Sequence, residues 1–315
     1  MPPRFPVRAQ AFLTGSVGVA LLSPLLAIGA ADLSGVDHRW FDLAAQFSAP
    51  ATVGALVLTT LFALLRWRGP ILAGALTAAI CAFAAAPQAF PRLAKAESGA
   101  PEMRLYSANL WVGNADVEAI RESVRRAQPD LVILIEAGDA PAQAIDEIVP
   151  DLPHRVSSPR RQWRGRGERT IIASRWPLGP LKLERDVVAE TPLGPIHLTA
   201  VHLTRPWPYQ VQWEQIREMD RLVEDSMGPG VTRVIAGDFN SVTDARIGRQ
   251  MARDSGLIPA PAFPGTWPAQ LPSPLGIGID NVWVSRDLTV TRRSLGVRNG
   301  SDHRPVVTVL TRARR

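Results

Sequence analysis

The stretch Val231–Ser241, VTRVIAGDFNS, decides how this chain is read. Its first half, Val231 to Ala236, has the β-branched, apolar composition of a strand covered on both faces. Gly237 breaks that strand, and two side chains with hard oxygens, Asp238 and Asn240, follow at i and i+2. In an extended backbone both point the same way, and the C-terminal ends of strands are where α/β sheets bind ligands. A carboxylate and an amide aimed together suit a phosphate, a nucleophilic water or a hard divalent cation. Alone, such a motif reads equally well as a strand stopping in an Asx turn. Four other strand ends in the chain finish with the same kind of residue, and they favour a site.

Working outward, Met103–Ala108 reads as a strand closed by Asn109, and Leu131–Ile135 as a buried strand with Glu136 at its end. Between them Asp116–Ala127 has apolar residues at Val117, Ile120, Val124 and Ala127, a helical period with Asp116 as N-cap. Residues 154–169, HRVSSPRRQWRGRGER, read as a solvated Arg- and Gly-rich loop. Its functional alternative is a substrate loop in which guanidiniums meet phosphate and Trp163 stacks on a base or dips into lipid. Thr170–Ser174 is the next strand, flanked by Arg169 and Arg175, which with Trp163 are the candidate substrate-binding residues. Ile196–Leu203 delivers His202 near its end, with His197 on the opposite face. Pro206–Asp225 has a helical apolar stripe. The strand in Gly278–Val284, GIDNVWV, carries Asp280, which needs a partner if buried. Gly300–Pro305, GSDHRP, offers one before a last strand, Val306–Leu310. There Asp302 and His303 are adjacent, and an imidazole backed by a carboxylate is suited to acid–base work or to binding a phosphoryl oxygen.

The 315 residues divide unevenly, since 28 of the 35 basic and 25 of the 29 acidic residues lie in 102–315. The net charge of +6 is shared between the two parts, so a nucleic-acid partner is permitted but not demanded. The single cysteine, Cys81, excludes an intrachain disulfide and a cysteine-built zinc site. Residues 1–95 hold three uncharged runs near 11–30, 47–65 and 69–90. A cleaved signal peptide would explain the first alone, but three in succession read as membrane spans. The RWRGP loop (Arg66, Arg68) and Arg4 and Arg8 place the N-terminus and that loop in the cytoplasm. Three crossings then put 102–315 on the extracytoplasmic side, as expected of an integral protein of a bacterial inner membrane. Arg92 and Lys95 run against this charge bias. Residues 96–101 read as a linker.

The motifs SANLW, LVILIEA, AVHL, GDFNS, IDNVWVS and GSDHRP follow one another in that order. Together they resemble the endonuclease/exonuclease/phosphatase superfamily, the fold shared by DNase I-like nucleases, neutral sphingomyelinases and inositol-phosphate phosphatases. The resemblance runs from about Met103 to Leu310. It implies a four-layer α/β sandwich, two mixed β-sheets flanked by helices, behind the transmembrane helical region. It also implies roles. Glu136 would be the principal Mg²⁺ ligand, with Asn109 beside it and Asp302 in or next to the metal shell. Asp238 would orient or deprotonate the attacking water, and Asn240 would hold a phosphate oxygen. His303, oriented by Asp280, would polarise the phosphoryl group, and His202 would contact it.

Carboxylates and amides without a thiolate favour Mg²⁺ or Mn²⁺ over zinc in any case. The chain departs from the family in ERTIIASR (168–175), where an Arg–Thr pair replaces small residues, and in the short, proline-rich stretch Thr243–Gly276. The expected activity is hydrolysis of a phosphodiester, in nucleic acid or in a phospholipid headgroup, by a bilayer-anchored enzyme with no protein partner implied. The alternatives are a phosphomonoesterase on inositol-type phosphates and a non-catalytic binding protein of the same fold.

Overall fold

The computed structural model describes residues 7–314 except 37, 164–165, 181–184, 208–213, 215–216, 219 and 223–230. The helical region comprises α1 (Val7–Ser34), α2 (Arg39–Ala45), α3 (Ser48–Leu64) and α4 (Arg68–Ala89). Two helices, Ala9–Ser34 and Arg68–Ala89, are long and apolar enough to cross a membrane. The middle run is a helix where expected, giving up to three spans if the bent pair is one. The 17-residue α3 qualifies only together with α2, from which it is bent by 58°. The break falls at Gln46–Phe47, and Gln46 is buried against the second half of the chain.

Residues 96–101 are tied down rather than free. Ala96 bridges Ala313, Glu97 N–H donates to Arg312 O (2.9 Å), and Thr311 Oγ1 donates to Pro101 O (2.8 Å).

The second half is built from β1 (Met103–Asn109), α5 (Val117–Ala127), β2 (Leu131–Ala137), α6 (Asp139–Gln143), α7 (Ile145–Ile148), β3 (His154–Ser157), β4 (Arg161–Trp163) and β5 (Arg166–Ser174). There follow β6 (Leu178–Pro180), β7 (Asp186–Thr191), β8 (Gly194–His202), β9 (Arg233–Asp238), α8 (Arg246–Asp254) and β10 (Ile258–Pro259). The last elements are a 3₁₀ turn (Ser273–Leu275), β11 (Asp280–Val284), β12 (Leu288–Leu295) and β13 (Val306–Arg312).

Among the described residues there are two mixed sheets. One has seven strands in the order β12-β13-β1-β2-β5-β3 with β4 joined to β5, and the other six in the order β10-β11-β9-β8-β7-β6. β1–β2 and β8–β9 are parallel pairs. The sheets share a core in which Leu105, Ile133 and Ile172 meet Leu198, Val234 and Val282. The outer face of the first sheet carries Tyr106, Val132 and Ile171 against α5 and α7, and that of the second carries Ile235 and Trp283 against Met251 of α8. This is the expected four-layer sandwich.

Residues 154–169 are not a solvated loop. β3 and β4 both pair with β5, so residues 154–157 and 161–163 are sheet edge with backbone groups taken up by the ladder. Charged side chains suit an exposed edge, which hides the strand from a hydrophobicity pattern. Of the expected helix Pro206–Asp225, residues 214, 217, 218 and 220–222 are helical, and the rest lies outside the described residues.

Gly237 holds β9 against β8. Its φ is +146°, and a Cβ there would run into the carbonyl oxygen of Val201. Both the backbone conformation and the contact demand glycine. Gly237→Ala is expected to cost about 3 kcal/mol, from clash and forced φ together. It should lower the midpoint of thermal unfolding without changing the secondary structure at low temperature.

Candidate active site

Strand parity assembles the site. In β1 the inward residues Met103 and Leu105 lead to Asn109, and in β8 Leu198 and Ala200 lead to His202. In β9 Val234 and Ala236 lead to Asp238, while in β11 Val284 and Val282 lead back to Asp280. Successive side chains alternate between faces, so all four residues finish the inner faces of the two sheets at one end of the sandwich. Register completes the arrangement, because Asp238 pairs with Asp280 on one side and with His202 on the other.

Glu136 breaks the parity rule. By alternation after Ile133 and Ile135 it would face the outer helices. Its φ is +51°, however, and the β2–β5 ladder shifts register between Leu134 and Ala137. A bulge re-aims a side chain, and here Glu136 is turned into the site. One carboxylate oxygen accepts from Asn109 Nδ2 (3.0 Å) and lies 3.3 Å from His202 Nε2. The other accepts from Val112 N–H at 3.2 Å. A left-handed glutamate is strained, a cost that recurs at functional positions.

Asn109 joins the two sheets. Its Nδ2 donates to Glu136 Oε1 and, also at 3.0 Å, to Asp238 Oδ2, while its Oδ1 accepts from Trp111 N–H at 2.9 Å. Asn240 corrects the extended geometry expected for GDFN. Its φ is +48°, its N–H donates to Asp238 Oδ1 (2.8 Å), and its Nδ2 donates to Leu203 O (2.8 Å). The Asx turn and the site are one structure, since the turn fixes the Asp238 carboxylate.

His303 lies between two carboxylates. Its Nδ1 is 2.9 Å from Asp280 Oδ2, and its Nε2 is 3.8 Å from Asp238 Oδ2. Burial opposes its charge, but the charges of Asp280 and Asp238, the Asp280 hydrogen bond and the Asp302 charge prevail and push the imidazole up to about 10. Asp238 is pushed up to about 6, first by burial and further by the Asp280 charge, with His303 opposing.

Asp302 turns to Trp267, whose Nε1 donates to it at 3.3 Å. Arg169 faces outward and pairs with Asp139 at 3.3 Å. Arg175 sits at the far end of β5, 3.1 Å from Asp130 beside the start of β2. Neither arginine is brought to the site, and the Trp163 side chain lies outside the described residues.

Glu168 does reach the site region, and sequence reading passed it over. It is half-buried and shares the inner face of β5 with Ile172. Burial pushes its carboxyl up, with the His202 charge opposing and the Glu136 charge adding. Extending the alternation of β5 back beyond Thr170 would have found it. Arg166 is a second such residue, its guanidinium lying on Gly113 in the turn after Asn109.

The donor set suits a hard cation. Glu136, Asp238, Asp280 and Asp302 outnumber the two imidazoles, His202 and His303, and a surplus of negative charge held this far from water needs compensation. Among the described residues, Asp238, Asp280 and His303 form a buried group whose ligand atoms all lie within 4.8 Å of one another. A protonated His303 has no lone pair to give. That trio is therefore an ion-pair network first, and the carboxylate of Glu136 is the better ligand for a divalent ion, the neighbouring Asn109 presenting its NH2 to it and its oxygen to Trp111 N–H.

The profile of the Endonuclease/Exonuclease/phosphatase family matches residues 106–303. The chain belongs to this family. Its members hydrolyse phosphoester bonds and generally use divalent metals. Similar solved structures include an endonuclease/exonuclease/phosphatase from Beutenbergia cavernae DSM 12333 (TM-score 0.56, 20% identity, 67% of this chain and 72% of that one). Humanized D. rerio TDP2 carrying 14 mutations is another (TM-score 0.50, 14% identity, 66% and 98%). The human Nocturnin catalytic domain with bound sulfate is a third (TM-score 0.50, 16% identity, 68% and 94%). At these identities the likeness is one of fold. The comparison with curated proteins returns no match.

In this family member the His303 ring is held charged by its carboxylates, so its stabilising contribution is whole below pH 6.5 and is lost as pH rises through about 10. Asp280→Asn should bring the titration of the ring down toward its ordinary value, read from the pH dependence of the His303 ring nitrogen resonances. A ring titrating near 10 in that variant would refute the role assigned to Asp280.

Proposed function

We propose that the chain is a membrane-anchored, metal-dependent phosphodiesterase. The observation that supports this best is the pairing of a polarised carboxylate, Asp238, with a charged imidazole, His303, across the end of one sandwich. Asp238, with its carboxyl near 6, is matched to accept a proton from water around neutral pH. Asn240 and Asn109 hold that carboxylate in one orientation. His303, kept protonated and oriented by Asp280, donates to a phosphoryl oxygen and stabilises the charge that grows there. His202 and the Asn240 amide bind the remaining oxygens. Glu136 would hold Mg²⁺ or Mn²⁺, joined by Asn109 once its amide oxygen is turned from Trp111 N–H toward the ion, and the bound metal would supply Lewis-acid stabilisation of the phosphate. Asp302, beside His303, adds negative charge to the same end.

Of the two substrate classes, a phospholipid headgroup is favoured over nucleic acid. The segments that follow Asp238 and precede Asp280 pack directly on α2 and its C-cap, which supports a reaction close to the bilayer surface. The membrane reading itself rests on exposed apolar side chains along the long helices, including Phe12, Val19, Leu72, Leu76 and Phe83, which are stable in lipid and not in water. The charge bias of the loops supports an extracytoplasmic position for the catalytic half, in keeping with the bacterial inner-membrane reading.

The test is hydrolysis by the full chain in lipid nanodiscs with Mg²⁺, Mn²⁺ or EDTA, offered phospholipids, sphingomyelin, DNA, RNA and inositol phosphates. Metal-dependent release of a phosphorylated headgroup is expected, reduced about 10²–10⁴-fold by Asp238→Asn and by His303→Ala. Turnover of DNA or RNA instead, suppressed by salt, would replace the lipid reading. No turnover by folded protein would point to a binding protein.

A further inference from the structure

We propose that the membrane region completes the catalytic site, with Gln46 and Asp42 as positioning residues for the loop that follows Asp238 and Asn240. This rests on the hydrolytic reading above and goes beyond anchoring.

The contacts are polar, buried and directed at one loop. Val242 N–H donates to Gln46 Oε1 (2.8 Å), and Gln46 Nε2 donates to Ser241 Oγ at 3.2 Å. Arg246 N–H donates to Asp42 Oδ1 at 2.9 Å. Gln88 of α4 adds a second arm: its Nε2 donates to Asp244 Oδ2 (3.0 Å) and its carbonyl accepts from Ala262 N–H at 2.6 Å. Gln46, Asp42 and Gln88 are each at most 2% exposed, so each lost bond would leave a buried polar group without its partner.

The reach of these contacts into the site is short. Ser241 is three residues after Asp238, and its carbonyl accepts from Asn281 Nδ2 (2.8 Å), the neighbour of Asp280. Ala45 packs with Val242, Ala245, Ile277 and Ile279, and Phe239 N–H donates to Ile279 O at 2.9 Å. Helix α2 and its C-cap therefore touch both segments at the point where Asp238 and Asp280 stand in register. The break between α2 and α3 acquires a reason here. Non-helical backbone next to a membrane is tolerated where it is buried in protein, and this break delivers Gln46 to the loop.

Misplacement of a catalytic group by about 1 Å can cost on the order of 10²-fold in rate. A positioning role thus predicts a loss in kcat with substrate binding preserved.

The experiment compares full-length wild type, Gln46→Met, Asp42→Ala and Asp42→Asn in nanodiscs, by steady-state kinetics and by hydrogen–deuterium exchange. Methionine fills the space of Gln46 without its hydrogen bonds, and the Asp42→Asn substitution keeps an oxygen that can accept from Arg246. Gln46→Met and Asp42→Ala should lower kcat about tenfold or more with KM little changed, and speed exchange in 238–246 while β1 and β2 stay protected. Asp42→Asn keeps the acceptor for Arg246 N–H but loses the carboxylate that faces the Arg246 guanidinium at 3.9 Å, and should fall between Asp42→Ala and wild type. Unchanged exchange in the loop, or faster exchange with kcat intact, overturns the inference. A wild type that hydrolyses nothing overturns the hydrolytic reading instead, and the exchange data then decide by themselves whether the helical region orders the loop.

Discussion

The structure turns on one constraint, the gathering of carboxylates at the end of a sandwich whose interior is otherwise aliphatic. Glu136, Asp238 and Asp280 would repel one another and resist burial if nothing stood between them. Two residues make the arrangement tenable. The Asn109 amide donates at 3.0 Å to both Glu136 and Asp238, and the His303 imidazole sits between Asp280 and Asp238. One is a neutral bridge across the sheets, and the other is a cation that the segment before β13 of the first sheet brings to two carboxylates of the second. The remaining surplus of negative charge is what a hard metal ion would neutralise.

The same constraint explains the irregular backbone. A regular β2 would present Glu136 to the outer helices, and a regular β9 exit would carry Asn240 away from the Asp238 carboxylate. Positive φ at Glu136 and Asn240, and the shift of register beside Glu136, correct both. Strain is concentrated where the chemistry needs side chains to leave their natural face, and the long buried ladders of β1, β2, β9 and β11 supply the stability that sustains it.

The helical region is joined to this end of the sandwich and not to a distant surface. Gln46, Asp42 and Gln88 are buried polar residues of the helical region, and each is satisfied by the backbone or side chains of the stretch from Ser241 to Arg246 or of the segment beginning at Ala262. Together with the bridge of Ala96 to Ala313, they give the two halves contacts at both ends of the connecting segment.

Much was legible in the chain itself. Period-2 patterns and aliphatic runs marked β1, β2, β8, β9 and β11, because strands buried on both faces leave no choice of residue type. The residues standing at their ends, Asn109, Glu136, His202, Asp238, Asp280 and the nearby His303, do converge, since parity and strand direction determine where a strand's last side chain points. What sequence could not give was set by contacts between distant segments. The Arg-rich stretch 154–169 is sheet because β5 offers it an edge. Arg169 and Arg175 pair with Asp139 and Asp130, away from the site, because a guanidinium takes whichever carboxylate the fold places beside it. Glu168 and Arg166 enter the site region, and Gln46 becomes part of its support, only through tertiary packing. Local pattern records the face a residue must present. Only the folded chain decides what that face meets.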